Sequence, residues 1–188
     1  MQLYKLTLAT MIQRKVWIIA LFCALVLPIV LPYLTPYESN PSLIEPARAQ
    51  AAWGCLWVVT IAWLFFQAAR FGDDTARSGL GAYFLSSGVS GLSQMMQIWL
   101  ACLSFLLPLV LVTLAVCFIG AMPNDSAQAQ MWIATNLQYA ALFLLVVTPL
   151  MMVAASVGSR FGSTVGYLIP LCMSVYGMYG VGYLAMMT

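Results

Sequence analysis

The sequence predicts an all-α integral membrane protein: a polytopic helix bundle with about five transmembrane helices, an N-terminal amphipathic interfacial helix and a short cytoplasmic coupling helix. Three observations carry the fold class. The 188 residues are 63% hydrophobic and only 6% charged, whereas a soluble domain carries about 25% charged residues, so this chain could not cover its own surface with solvated groups. Five apolar runs approach or exceed the roughly 20 residues needed to cross a hydrocarbon core of about 30 Å. All seven basic and five acidic residues fall outside those runs, as required where a charge at a helix centre costs about 2.5–3.5 kcal/mol.

The same composition excludes several classes. Disorder needs low hydrophobicity and high net charge, and neither holds. A net charge of +2 leaves no basic stripe to neutralise phosphates, so nucleic acid is not an expected partner. With no histidine there is no Ser-His or Cys-His nucleophile pair and no His-ligated haem or zinc. Cys23, Cys55, Cys102, Cys117 and Cys172 lie in apolar runs without CxxC spacing and read as buried, inert thiols. Neither a metal nor a cofactor of its own is expected.

In chain order, residues 1–15 read as an interfacial helix, with Leu3, Tyr4, Leu6, Leu8, Met11 and Ile12 for the membrane and Lys5, Gln13, Arg14 and Lys15 for water. An extension of the first span is the alternative. The spans follow at about 16–35, 51–69, 95–120, 131–157 and 163–185, forming one transmembrane domain over 1–188. The first run ends in prolines rather than at a small-residue cleavage site, so it is expected to remain on the chain. Pro28, Pro32, Pro108, Pro149 and Pro170 lie in spans and predict kinks or broken turns.

Orientation follows from the basic residues. Lys5, Arg14, Lys15, Arg70, Arg77 and Arg160 share one side and only Arg48 the other, which puts the N-terminus in the cytoplasm. The outer loops are then 36–50, with Pro36, Glu38, Pro41, Glu45 and Pro46, and 121–130, with Pro123 and Asp125. Tyr33, Tyr37, Trp53 and Trp132 fall near the outer boundary and Trp17 near the inner one, where amphipathic rings favour the headgroups. Thr60, Gln67, Gln97, Ser104, Thr113, Gln138, Thr148 and Ser174 form the polar set of the spans, read first as interhelical hydrogen-bond partners.

The longest cytoplasmic connection is 70–94. Asp73 or Asp74 can cap a helix, after which Ala76, Leu80, Tyr83, Phe84 and Ser87 share one face at spacings of three and four. Gly79 and Gly81 weaken that helix by about 1 kcal/mol each, so it needs a surface to dock on. It ends at Ser86-Ser87-Gly88, and Ser90 can cap the next span. Farther on, Gly158, Gly162 and Gly166 recur every four residues across an expected loop at Arg160, a spacing that suits close packing of a tight helical hairpin.

An acid, a basic residue, a glycine, a short helix ending Leu-Ser-Ser and then Val-Ser before a span resemble the coupling segment of type-two ABC exporter permeases. The matching positions are Asp74, Arg77, Gly79, Leu85, Ser86, Ser87, Val89 and Ser90. The layout is similar over nearly the whole chain: a basic amphipathic start, a polar outer loop, the coupling segment and a hairpin broken at Ser159, Arg160 and Phe161. That resemblance implies ATPase-coupling roles for Asp73, Asp74, Arg77, Leu80, Tyr83, Phe84, Ser159, Arg160 and Phe161. It implies ABC ATPase subunits and a second permease copy or homologue as partners, besides membrane lipids, with ATP and Mg held by the ATPase. The chain departs from the family pattern at Leu80 and Ala82, where Thr and an acid are usual, at Gly91–Met96, which lacks the usual basic residue, and in having five spans rather than six. Apolar docking through Leu80, Tyr83 and Phe84 would carry the difference.

No GxxxxGK[ST] motif occurs, so the chain is not expected to bind ATP itself or to be an enzyme. An ion-coupled carrier usually keeps ionisable groups in its spans, and this chain has none there. A non-transporting scaffold of a larger membrane complex remains the alternative, although it gives no reason for the amphipathic cytoplasmic helix. A membrane-embedded enzyme would need a base or clustered carboxylates, and Asp73 with Asp74 reads better as a cap and docking pair.

Overall fold

The computed structural model describes residues 2–34 and 44–180. Pro36, Tyr37, Glu38 and Pro41 of the first outer loop, and the end of the expected fifth span to Ala185, lie outside the described residues. The rest is helical, with no strand among the described residues: α1 (Gln2–Gln13), α2 (Val16–Val30), α3 (Ile44–Val59), α4 (Phe66–Arg77), α5 (Leu80–Ser86), α6 (Gly91–Ala115), α7 (Ser126–Phe161) and α8 (Ser163–Val175). A π-helical stretch, Thr60–Phe65, joins α3 to α4 without a break; two more, Val116–Gly120 and Tyr176–Gly180, end α6 and α8.

Four helices are long and apolar enough to cross a membrane: Val16–Tyr33, Ile44–Arg77, Gly91–Gly120 and Ser126–Phe161. The chain is a multi-pass helical membrane protein. Ser163–Met178, where the fifth span is expected, is a shorter apolar helix. Two of the helices exceed the expected spans considerably. Ile44–Arg77 has 34 residues and Ser126–Phe161 has 36, so they run about 50 Å at 1.5 Å per residue, well beyond a core of about 30 Å. Charged residues expected in loops, among them Arg48, Arg70, Arg77 and Arg160, therefore lie on helical ends.

The break at Arg14–Lys15 separates α1 from α2 rather than extending the span. Lys15 takes the left-handed conformation, φ 57°, where glycine is usual. The Ile12 carbonyl accepts from the Lys15 backbone N–H at 3.2 Å and from the Trp17 indole N–H at 3.2 Å. On α1 the buried stripe is Leu3, Thr7 and Met11, four apart, while Leu6 and Ile12 are exposed. The helix thus turns one apolar edge into the protein, where the sequence reading gave all six to lipid.

The described residues form two compact units. One comprises Ala9–Thr60 and Leu103–Val147. In it α2 packs on α3 through Ala20, Ala24 and Pro28, small groups four apart that let backbones approach, while Ile18, Ile19, Phe22 and Leu25 face outward. Lipid tails are as apolar as leucine, so such packing rather than the hydrophobic effect holds the pair together. Trp53 is buried here, not at a headgroup boundary. Its indole N–H donates to Asn136 Oδ1 at 3.0 Å, Asn136 in turn donates to the Trp132 carbonyl at 3.0 Å, and Phe143 meets Trp57 edge-on at 4.8 Å. Arg48 donates to the Gly120 carbonyl at 2.7 Å and to the Tyr33 hydroxyl. Cys117 is buried, whereas Cys23 and Cys55 are half-buried.

Among the described residues the other unit comprises 2–8, 61–102 and 148–180. In it α4 packs on α8 and, through Ala69 and Gly72, against α7; Ala68, Ala69, Phe71, Gly72 and Thr75 are buried, and Phe66 meets Tyr167 edge-on at 5.9 Å. The Tyr4 backbone N–H donates to Gln97 Oε1 at 3.2 Å, and the Trp99 indole N–H to the Thr148 carbonyl at 2.8 Å. Cys102 is buried, but Cys172 is exposed, contrary to the expectation of a buried thiol; it lies on an outward face of α8.

Candidate functional site

The connection 70–94 divides into the last two turns of α4, the short α5 and the start of α6. Asp73 and Asp74 do not cap α5; both lie inside α4. Two i,i+4 pairs carry that helix out to Arg77. Arg70 and Asp74, both half-exposed, stand 3.6 Å apart and contribute little. Asp73 is only 14% exposed and its Oδ1 lies 2.5 Å from Arg77 Nε. Its Oδ2 accepts from the backbone N–H of Ser163 at 3.0 Å. Asp73 is therefore a cap after all, but of α8, whose first N–H groups have no partner within their own helix.

Gly162 supplies the turn. With φ +91° it reverses the chain between α7, which ends at Phe161, and α8, which begins at Ser163. The expected loop at Arg160 is thus a single residue, with Ser159, Arg160 and Phe161 in the last turn of α7. Arg160 is exposed there, suitably for a helix C-terminus, Phe161 is 67% exposed, and the Ser159 hydroxyl donates to the Ser156 carbonyl at 2.8 Å.

Three glycines bring the helices of this unit to backbone contact. A Cβ on Gly72 would fall on the Ala155 carbonyl, and one on Gly158 on the Ala69 carbonyl. One on Gly166 would lie 2.6 Å from the Gly158 Cα. Gly158 and Gly166 thus face one another across the α7–α8 turn, while Gly162, the middle of the expected stripe, serves as the pivot. Beside it, a Cβ on Gly162 would come within 2.8 Å of Arg77 Nη2.

Helix α5 starts after Gly79, φ +76°, with no side-chain cap. Its far end is closed by a Schellman motif: Gly88 takes φ +83°, Val89 N–H donates to the Phe84 carbonyl at 2.9 Å and Gly88 N–H to the Leu85 carbonyl at 3.0 Å. Ala76, expected on this helix, belongs to α4. Phe84 is buried, whereas Tyr83 is 62% and Leu85 57% exposed and Leu80 stands at the margin of exposure. Tyr83 and Leu85 are therefore exposed on the two flanks of the helix, either side of Phe84, which anchors it, and Leu80 stands nearer the buried side. Ser90 caps α6 as expected, its Oγ accepting from Ser93 N–H at 3.3 Å.

Sequence reasoning missed Gln94 and Asn136, two buried amides. Gln94 lies in the first turn of α6 and Asn136 three turns into α7, each after a hydroxyl or a small residue, and nothing local distinguishes them from solvated side chains. Of the expected polar set, Thr113 and Ser174 bond back to carbonyls on their own helices, Leu109 at 3.0 Å and Pro170 at 2.7 Å. The Thr60 hydroxyl is fully buried with no partner among the described residues, and Gln138 lies on an exposed face. Among the described residues no three Cys, Asp or Glu side chains come together in a group able to hold a metal.

The arrangement is that of a multi-pass membrane helix bundle carrying a short, outward-facing polar-end helix on a glycine-packed base. No protein-family model matches the chain, and no curated protein or solved structure does either.

Proposed function

We propose that this chain is the membrane-spanning permease subunit of an ATP-driven ABC exporter, working with a separate ATPase and a second permease copy or homologue. One observation carries the reading. α5 presents Tyr83 and Leu85 outward while Phe84 fixes it from beneath, the form required of an element that docks on another protein and transmits its motion. Such a helix is too short to persist alone. The positive-inside rule supports a cytoplasmic N-terminus in the inner membrane, with α5 and the Arg160 turn on the ATPase side. ATP and Mg belong to the partner, and the uncharged spans suit an amphiphilic or apolar cargo.

The test is affinity purification of the complex from membranes in mild detergent. An ABC ATPase is expected with the wild type and is lost from the Tyr83→Ala/Leu85→Ala double variant. A stable complex that contains no nucleotide-binding chain overturns the reading and favours the scaffold. For orientation, Arg160→Cys in a background without the five native cysteines is expected to react with an impermeant maleimide only in inside-out vesicles. Labelling in intact cells reverses the assignment.

A further inference from the structure

The side chain of Gln94 is 3% exposed and lies in the first turn of α6, directly after the Ser90 cap. Its Nε2 donates to the Gly81 carbonyl at 3.1 Å and to the Val89 carbonyl at 3.2 Å. The first acceptor lies in the opening turn of α5 and the second on Val89, which completes its closing motif, so one amide holds both ends of α5. The approach is tight: a Cβ on Gly81 would stand 3.0 Å from the Thr75 carbonyl and 3.4 Å from Gln94 Oε1. Gly81 therefore sits close to both α4 and Gln94, and an added side chain would require these neighbours to give by a few tenths of an ångström.

Local forces do not fix α5 in this position. It has seven residues, no side-chain cap at its start and a glycine on either side of Leu80, and helices this short are unstable alone in water. Phe84 gives apolar anchorage, but an apolar contact lets a helix slide or rotate where two directed hydrogen bonds do not. We infer that Gln94 is the positioning residue that makes α5 and the start of α6 move as one body, so that a push on Tyr83 or Leu85 is delivered to α6 rather than absorbed by α5. This rests on the coupling reading of α5.

Hydrogen–deuterium exchange on the full-length purified protein tests the attachment, and recovery of the ATPase tests its use. Gln94→Met keeps the side chain's volume and removes both donors; Gln94→Glu keeps its shape, and carries the test alone if the methionine variant fails to fold. Backbone amides of Leu80–Ser86 are expected to exchange at least tenfold faster, with exchange in α4 and α8 unchanged and the thermal midpoint lowered by no more than the loss of two buried hydrogen bonds accounts for. Where the wild type recovers an ABC ATPase, either variant is expected to recover at least fivefold less, with Tyr83 and Leu85 intact. Unchanged exchange in Leu80–Ser86, a uniform rise across the protein, or faster exchange with full recovery of the ATPase each overturns the inference. If the wild type itself recovers no ATPase, the coupling reading falls, and exchange alone decides whether Gln94 positions α5.

Discussion

Asp73 in α4 accepts a hydrogen bond from the backbone N–H of Ser163, at 3.0 Å, while its other oxygen meets Arg77. An acid on one helix thus satisfies the free donor at the start of another, and the positive end of α8 favours the charge. Loss of a capping side chain costs about 0.5–2 kcal/mol. Asp73→Ala is therefore expected to lower stability by about 1–2 kcal/mol and Asp73→Asn by less, since the amide can still accept. Arg77→Gln should stay within about 1 kcal/mol, because the guanidinium is largely exposed. Thermal unfolding in detergent ranks the three; an arginine effect exceeding that of the aspartate would show that the ion pair, not the cap, dominates.

The glycines separate into two kinds, and alanine substitution distinguishes them. Gly72→Ala and Gly158→Ala drive a methyl into backbone atoms of a neighbouring helix, so each is expected to destabilise by about 1–3 kcal/mol. Around Gly54, inside α3, a Cβ meets nothing within 4 Å. Gly54→Ala should be neutral or stabilise by up to about 1 kcal/mol through helix propensity alone. Unfolding midpoints of the three variants against wild type provide the comparison.

Neighbouring residues of α5 should respond in opposite ways. Phe84→Ala removes a buried ring and is expected to cost about 3 kcal/mol. Tyr83→Ala and Leu85→Ala remove exposed groups and should remain within about 0.5 kcal/mol of wild type. Equal losses at all three sites in the isolated protein would mean that the outward face is already covered.

Asn136 carries both ends of a buried chain, accepting from Trp53 and donating to the Trp132 carbonyl. Asn136→Leu strands the indole N–H and should cost about 1–3 kcal/mol. Trp53→Phe with Asn136→Leu removes both partners and should recover part of that loss. Additive losses in the double variant would argue against a direct bond.

The spans were legible because the membrane imposes one rule, a long uncharged run, that any sequence must display. Their ends were not, and α4 shows why. Asp73 or Asp74 reads as the cap of a new helix, yet the four-residue spacing of opposite signs in Arg70–Asp74 and Asp73–Arg77 is itself a signal that the preceding helix continues to Arg77. The role of Asp73 was hidden more deeply, since the N–H it caps lies ninety positions later in the chain and no local pattern encodes that distance. On α5, the Leu-Ser-Ser ending marks the helix's end and Gly79 and Gly81 read as weakening it, but the spacing of three and four places Ala76 on it, which belongs to α4, and Tyr83 beside Phe84 where only Phe84 is buried. Gln94 left no trace beyond being polar near a helix start.

The one-residue turn at Gly162 has a further consequence. Two helices joined by a longer loop can slip past each other by a turn before they settle, because the connection has slack. Here there is none: once Gly162 adopts its positive φ, the offset between α7 and α8 is set by covalent geometry, and Gly158 meets Gly166 without a search among registers. The register of this hairpin is therefore internal to residues 126–175 and owes nothing to α4, which is made earlier and docks on a pair whose offset is already set.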